Sequence, residues 1–231
     1  MITPTPVLLH GFLGFSHFGP IQYFRGVTQA LKDTGVFCLT PKVPSAGSIE
    51  ERASSLARQL FQSDITEFSL FAHSMGGLDA RHLISFLDPD KRIKRLLTVS
   101  TPHLGSPLAT WALESPSMFP AMIRLIGRPA LDELTPEARQ AVTIPDRVDV
   151  AYTSYASCRP LAEQSVWLRP LGRMIPAAND GLVPVDSAKW GRFLGTLRSD
   201  HFELIGWSFP EKSGIFKPFN HIQFWTRVIN G

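Results

Sequence analysis

The sequence predicts an α/β fold with a mostly parallel central sheet and helices on both faces, and two observations lead to this prediction. Apolar segments with strand character alternate with helical segments along the first hundred residues, an order that is typical of parallel sheets. One of these segments, residues 68–72, runs directly into Ser74 and then into a helix. That pattern is typical of a strained strand-to-helix turn that exposes a serine hydroxyl.

Length and composition favour one large domain over residues 1–231. Hydrophobic residues make up 44% of the chain and charged residues 19%, so a substantial core can form. The net charge is +3 without a long basic run, and we therefore expect no nucleic-acid partner. No apolar run is long enough for a transmembrane segment. The start carries no secretion signal, which leaves a cytoplasmic location and secretion without an amino-terminal signal peptide both open.

The elements before Ser74 have recognisable boundaries. Residues 6–14 read as a short buried strand that ends in a glycine-rich turn, and residues 21–34 as a helix stopped by Gly35. Residues 36–39 are the next predicted strand, which ends before two prolines. Ser48, with Glu51 three residues later, predicts a capping box at the start of a helix that runs to about residue 61.

The elements after Ser74 continue the alternation and then interrupt it. A helix is predicted over residues 75–87 and a strand over 93–100. Residues 108–128 are apolar but are cut into short pieces by prolines. A helix restarts at 135–142, where Thr135 is the cap and Pro136 the first helical residue. A strand at 148–154, a strand or an excursion at 168–175 and an amphipathic helix at 222–229 complete the chain.

Ser74 is the candidate nucleophile. It stands between Ala72 and Gly76, and small residues are needed where strand and helix backbones approach closely in such a turn. A serine becomes a strong nucleophile only when a base accepts its proton and a carboxylate orients that base. In this arrangement the acid and then the base follow the serine along the chain.

His201 is the predicted base among seven histidines. It lies in a polar loop before a predicted helical turn. The other histidines lie in turn motifs, beside the serine, on the helix behind it, or at the start of the last helix. Asp180 is the predicted acid, in a tight Asn-Asp-Gly turn upstream of His201, although such a turn also occurs for purely structural reasons. The alternatives are Asp186, Asp200 and Glu203.

The developing oxyanion needs backbone N–H donors. One belongs to Met75, directly after the serine, and the other to the turn after the first strand, where Phe12 is the candidate. His10 would then have a structural role in that loop. Cys38 is expected to be a small core residue, and neither Cys38 nor Cys158 has the spacing of a metal ligand.

Four sequence blocks occur in a characteristic order: VLLHGFLG at residues 7–14, AHSMGGLDAR at 72–81, STPHLGS at 100–106 and NDGLVP at 179–184. Together they resemble motifs of the bacterial family I true lipases, which are α/β-hydrolases that cleave triacylglycerols. The resemblance implies the same nucleophile, acid, base and oxyanion donors as the residue-by-residue reasoning. It also implies a lid insertion over about residues 106–144.

The resemblance raises the question of a structural calcium ion. Many such lipases have a ligand two residues after the catalytic histidine and a glutamine four residues further on. Here these positions are Glu203 and Trp207, and tryptophan has no oxygen for a hard cation. A further expected aspartate has no clear equivalent around Cys158. The sequence therefore disfavours calcium, and no cofactor or metal ligand is predicted.

The apolar stretch 108–128 has two interpretations, buried helical core or a lid over an acyl-chain site, and its prolines and length favour the lid. We therefore expect a lipase or carboxylesterase that acts on lipid esters and touches a lipid interface transiently. A short-chain carboxylesterase or thioesterase is the first alternative. A catalytically inactive lipid-binding protein is a more distant one.

Overall fold

A five-stranded sheet forms the centre of the molecule, and all its neighbouring strands are parallel. The computed structural model describes residues 3–14, 17–18, 21–207 and 218–231. Residues 1–2 of the predicted signal-free start lie outside the described residues. The strands of the described chain are β1 (Thr5–Leu9), β2 (His17–Phe18), β3 (Ile21–Gln22), β4 (Phe68–His73), β5 (Ile93–Val99), β6 (Ala151–Ser157) and β7 (Arg192–Leu197). The order in the five-stranded sheet is β1-β4-β5-β6-β7.

Helices connect the strands of this sheet. In the described chain they are α1 (Val27–Asp33), α2 (Ile49–Phe61), α3 (Gly76–His82), α4 (Pro107–Glu114), α5 (Met118–Leu134), α6 (Pro136–Ala141), α7 (Arg169–Gly172) and α8 (His221–Asn230). A π-helical turn, Leu83–Leu87, extends α3. None of these helices combines the length and the apolar character that crossing a bilayer requires.

Helices cover both faces of the sheet. Successive side chains of a strand point to opposite sides, and here apolar side chains occur on both. On β1, Val7 and Leu9 pack into a core with residues of α2 and α3. Leu8 faces the other way, into a core that includes Phe224 and Trp225 of α8 and residues of α1. The predicted α/β fold is confirmed.

Several predicted boundaries agree with the structure. The capping box at α2 is present: Ser48 Oγ accepts the N–H of Glu51, and the Glu51 carboxylate accepts the N–H of Ser48. Thr135 caps α6, where its Oγ1 accepts the N–H of Ala138, and Pro136 is the first helical residue.

Other boundaries differ from the prediction. The expected strand at 36–39 is reduced to one parallel bridge between Leu39 and Val7, at the free edge of β1. Prolines follow at 41 and 44 and cannot donate to a strand ladder. The first helix begins only after Gly26, which has a left-handed φ of 74°. The strand predicted at 148–154 pairs from Ala151 onward, and the segment 168–175 contains the short helix α7.

The insertion after β5 consists of α4, α5 and α6. Of its prolines, only Pro116 separates two helices, so α5 is longer than the short pieces that the sequence predicted. A residue with non-helical angles, Gly127, kinks α5 just before Pro129. Both cysteines are free thiols, and burial raises the pKa of Cys38 to about 12.

Candidate active site

The turn that follows β4 holds Ser74 in a strained conformation. Its φ is 56°, a left-handed value that side chains other than glycine rarely adopt, and its N–H donates to Val99 O at 3.0 Å. A Cβ on Gly76 would lie 2.9 Å from Leu9 O, and one on Gly77 would lie 2.2 Å from Thr101 Oγ1. The two glycines therefore let α3 pack directly against the strand ends, as the sequence pattern predicted.

His201 and Asp180 form a buried pair. His201 Nδ1 lies 2.8 Å from Asp180 Oδ2, and the backbone N–H of His201 donates to Asp180 O at 2.9 Å. The side chains of His201 and Asp180 are 5% and 0% exposed. The structure thus joins the predicted base and the predicted acid through two contacts, although 21 positions separate them in the chain.

Asp180 is held as an ionised acceptor by its surroundings. Burial by itself raises the pKa of this carboxyl, but the His201 imidazole and the backbone N–H groups of Val183 and Leu182 outweigh it and leave the pKa below its usual value. Those N–H groups donate to Oδ1 at 2.8 and 3.0 Å, and Ser157 Oγ donates to Oδ2 at 2.8 Å. The negative charge therefore faces the imidazole at neutral pH.

The three alternative acids, Asp186, Asp200 and Glu203, make contacts with groups other than the His201 side chain. Asp186 is exposed and contacts Lys189 at 2.6 Å. Asp200 accepts backbone N–H groups, including that of Phe202 at 3.0 Å, and Glu203 forms an ion pair with Arg159. Among these carboxylates and Asp180, only Asp180 makes a side-chain contact with His201.

His73 directly precedes the serine in the chain, and its ring packs against that of the predicted base. Its ring centroid is 4.5 Å from that of His201, and its Nδ1 is 2.8 Å from Tyr23 Oη. Burial, and secondarily the positive charge that His201 can carry, keep the pKa of His73 well below its usual value, so that the ring is neutral. Within the described chain no hydrogen bond joins Ser74 to His201. Such catalytic contacts often form only when substrate is bound.

The turn after β1, residues 10–14, lies against the serine, and it is called the oxyanion turn below because it carries the candidate donor Phe12. Gly11 contacts Ser74 so closely that a Cβ on Gly11 would lie 3.0 Å from Ser74 Oγ. The N–H of Gly11 donates to Tyr23 Oη at 3.1 Å. In the described chain, no acceptor receives the N–H of Phe12 or of Met75. Both groups remain available for a bound oxyanion.

Arg52 supports this turn, and the sequence did not predict it. Its fully buried guanidinium donates to His10 O at 2.9 Å and to Gly11 O at 3.3 Å, and its Nε donates to Asp79 Oδ2 at 2.9 Å. Burial raises the pKa of Asp79 to about 6 against the opposing effect of Arg52. A carboxylate at the start of α3 therefore anchors the cation that holds the oxyanion turn.

His10 contributes to the same turn, as expected for a structural histidine. Its Nδ1 lies 3.0 Å from Gly11 O, and its Nε2 accepts the N–H of Val43 at 3.4 Å. Burial, and then the charge of Arg52, lower the pKa of His10 to about 4.

The kinked helix α5 lies against the oxyanion turn. Gly127 contacts the ring of Phe12 so closely that a Cβ would be 2.4 Å from Phe12 Cζ. After the kink, Ala130, Leu131 and Leu134 are buried. Before it, apolar side chains are more than half exposed: Met118, Phe119, Met122, Leu125 and Ile126. The helix is therefore anchored at its carboxyl-terminal half and presents an apolar surface at the other half.

No group of three or more His, Cys, Asp or Glu side chains in the described part of the chain is arranged to hold a metal ion. The two positions that the resemblance aligns with calcium ligands are Glu203 and Trp207. Glu203 forms an ion pair with Arg159. Trp207 donates its Nε1–H to Tyr23 O at 3.3 Å.

A parallel sheet that carries a strained serine after a central strand and a histidine–carboxylate pair on later loops is an arrangement found in α/β-hydrolases. Residues 7–214 match the alpha/beta hydrolase family, and the chain belongs to that family.

Two relatives are similar in sequence. Triacylglycerol lipase 2 of Saccharomyces cerevisiae is 34% identical over 209 residues, which cover 81% of this chain and 63% of the yeast protein. The triacylglycerol lipase of Pseudomonas fragi is 35% identical over 112 residues, which cover 46% of this chain and 38% of that protein. The chain spans less than two thirds of the length of either relative.

Solved structures share the fold. The Staphylococcus hyicus lipase superposes with a TM-score of 0.74 at 14% identity, covering 98% of this chain and 94% of that one. The mature Bacillus licheniformis lipase gives a TM-score of 0.71 at 22% identity, covering 87% of this chain and 86% of that one.

Proposed function

We propose that the protein hydrolyses carboxylic esters of lipids through an acyl-serine intermediate. The observation that carries this proposal is a strained Ser74 in the same fold as a buried His201–Asp180 pair whose carboxylate is held ionised. The ring of His73, which precedes the serine in the chain, lies 4.5 Å from that of His201 and links the two parts. A strained backbone at a serine is typical of functional sites. The two sequence relatives named as triacylglycerol lipases support the same reaction class.

In the proposed reaction, Ser74 Oγ attacks the ester carbonyl carbon while His201 Nε2 accepts the hydroxyl proton. The tetrahedral intermediate then expels the alcohol, which takes that proton from His201, and the acyl group remains on Ser74. Water attacks the acyl-serine next while His201 Nε2 accepts a proton from that water. The second tetrahedral intermediate then releases the carboxylic acid, and His201 gives the proton to Ser74 Oγ. Asp180 keeps the Nδ1–H tautomer of His201 and stabilises the imidazolium.

The N–H groups of Phe12 and Met75 are the proposed oxyanion donors. Charge develops on the carbonyl oxygen only in the intermediate, so donors that are fixed in advance lower the barrier. Phe12 is fixed from two sides: the Arg52 guanidinium binds the carbonyls just before it, and Gly127 of α5 packs against its ring.

The proposal that the substrate is a lipid ester rests on the insertion after β5. We propose that residues 106–144 act as a lid whose exposed apolar side chains contact a lipid surface. Contiguous exposed apolar side chains mark binding surfaces, and the kink at Gly127 separates the exposed half of α5 from its anchored half.

Hydrolysis of p-nitrophenyl esters with acyl chains of about 2 to 16 carbons tests the proposal, with Ser74→Ala as the control and fluorophosphonate labelling as a second measurement. We expect labelling at Ser74 and turnover of long-chain esters, both lost in Ser74→Ala. Turnover restricted to short esters would favour the short-chain esterase or thioesterase. If neither turnover nor labelling occurred, the inactive lipid-binding protein would remain.

The lid has a separate test. Leu125 on α5 is 88% exposed, and Val148, outside the insertion, is fully exposed, which makes Leu125→Glu and Val148→Glu a matched pair. We expect Leu125→Glu to lower the rate on emulsified ester several-fold while the rate on a monomeric soluble ester stays unchanged. Val148→Glu should change neither rate. Equal rates of Leu125→Glu and the unmodified protein on the emulsion would contradict interfacial binding by α5.

A further inference from the structure

A buried ion pair lies directly behind the histidine–aspartate pair. Arg159 Nε donates to Glu203 Oε2 at 2.5 Å, and Arg159 Nη2 donates to Glu203 Oε1 at 3.1 Å. The two side chains are 3% and 1% exposed. A two-pronged guanidinium–carboxylate contact of this kind fixes both partners in orientation as well as in distance.

The pair connects the loop of the acid with the loop of the base. Arg159 follows β6 by two residues, and its backbone N–H donates to the carbonyl of Asn179, next to Asp180, at 3.3 Å. Glu203 lies two residues after His201, and its carboxylate also accepts the N–H of Asp200 at 3.0 Å. The carboxylate further accepts the N–H of residue 219, before α8, at 3.1 Å.

This position is where the sequence resemblance would locate a structural calcium ion, and the residues present do not fit one. Calcium takes six to eight oxygen ligands. Both oxygens of Glu203 here accept N–H groups of Arg159, so the guanidinium of Arg159 already supplies a positive charge next to this carboxylate. Trp207, the other position in question, donates to a backbone carbonyl instead of offering an oxygen.

We propose that Arg159 is a positioning residue for the triad: its guanidinium supplies from within the chain the positive charge that holds the His201 loop against the Asp180 loop. This inference rests on the proposed ester hydrolysis, because it concerns the placement of His201. Glu163 takes part at the edge of the cluster, where Arg159 Nη1 donates to Glu163 Oε2 at 3.1 Å.

Arg159 and Arg198 both contact Glu163, but loss of the two guanidinium groups should have different effects. Without the guanidinium, Glu203 would be an unpaired charge in a dry site, and the loop would have to move to bring its carboxylate to water. His201 would move with it. The neighbouring contact between Glu163 and Arg198 is different, because Arg198 is 71% exposed and water can replace its guanidinium.

Arg159→Met and Arg198→Met are therefore a matched pair of variants. We expect Arg159→Met to lower kcat on p-nitrophenyl butyrate by about 10- to 100-fold, by analogy with the loss that follows when a group that orients a metal-ligating residue is removed. KM should change little, because the guanidinium is proposed to act on the position of His201 and not on substrate binding. Arg159→Lys should recover part of the rate, since it restores the charge but not the two-pronged contact. Arg198→Met should match the unmodified protein. Circular dichroism at the assay temperature verifies that each variant is folded.

Three results would overturn the inference. One is an unchanged kcat in folded Arg159→Met, and another is a loss of the same size in Arg198→Met. The third is a melting temperature of the unmodified protein that falls by more than about 4 °C in EDTA and returns with calcium, which exceeds the shift from about 1 kcal/mol in a chain of this size.

Two further measurements keep the test decisive. If Arg159→Met does not fold, Glu203→Gln replaces it, because the amide keeps the volume but removes the charge, and the same loss of kcat is expected. An unmodified protein without turnover and without fluorophosphonate labelling would refute the ester hydrolysis itself. Active unmodified protein together with an unimpaired Arg159→Met would refute only the role of Arg159.

Discussion

Replacing Asp180 with asparagine tests the proposed mechanism most directly. The carboxylate accepts four hydrogen bonds: two at Oδ1 from backbone N–H groups, and two at Oδ2 from Ser157 and His201. In asparagine the amide oxygen can take the place of Oδ1, and the NH₂ group then faces the imidazole. Because that group donates and cannot accept, the His201 proton moves from Nδ1 to Nε2. The base then has no lone pair for the serine proton.

The size of the effect follows from this change of tautomer. The same substitution in a serine protease triad costs about 10⁴-fold in kcat, which corresponds to about 5 kcal/mol of transition-state stabilisation. The fold should persist, since the substitution is isosteric and keeps the backbone contact between His201 N and Asp180 O. Initial rates on p-nitrophenyl butyrate, together with circular dichroism, measure both effects.

Asp186→Asn is the control for this experiment. Asp186 was an alternative acid by sequence, but it is exposed and contacts only Lys189 among the described charged side chains. We expect its substitution to leave kcat unchanged. If Asp180→Asn kept more than about a tenth of kcat, the loss would be under 1.4 kcal/mol. The assignment of the acid would then be wrong.

Three other results are expected. His10 has its pKa lowered to about 4 from 6.5 in the unfolded chain, so the stability that its neutral form contributes is complete above pH 6.5 and is lost as the pH falls towards 4. Between pH 7 and pH 5 denaturant unfolding should show a loss of about 2 kcal/mol from this group, and His10→Asn should remove that part of the pH dependence. Gly127→Ala should destabilise the protein by about 1–3 kcal/mol, because its Cβ meets the Phe12 ring, and thermal unfolding should show a smaller cost in a Phe12→Leu background. Tyr23→Phe should lower kcat about 10-fold with little change in KM, because the N–H of Gly11 loses its acceptor; an unchanged kcat would show that the oxyanion turn does not need the hydroxyl.

The sequence predicted the parts of the fold that local signals specify. The capping box at Ser48, the cap at Thr135 and the turn at Ser74 each involve residues within a few positions of one another, and each is present in the structure. The edge strand β7 was not predicted, because its Arg192–Leu197 segment is largely exposed and contains Gly195 at a φ of 138°. Its pairing depends on β6 and not on its own pattern.

The candidate site likewise contains residues that the sequence predicted and residues that it did not. The pairing of His201 with Asp180 could be predicted because the order of nucleophile, acid and base along the chain is constrained, and the catalytic roles of these two residues and of Ser74 stay predictions. Arg52 and Arg159 could not be predicted, because an arginine in a sequence carries no sign of the carbonyl or carboxylate that it will reach. Arg52 contacts residues 27 and 42 positions away, and Arg159 contacts Glu203 across 44 positions. Only the packing of the sheet brings these partners together.

His201 is bound to Asp180 by its backbone as well as by its ring, and this double attachment has a consequence for how the site can adapt. A displacement of either loop is transmitted to the other, because separating the two residues would break two hydrogen bonds. Ser74 has no part in this attachment, since it follows β4 whereas Asp180 and His201 lie on later loops. The distance between Ser74 and the pair can therefore change without the loss of a hydrogen bond between Asp180 and His201.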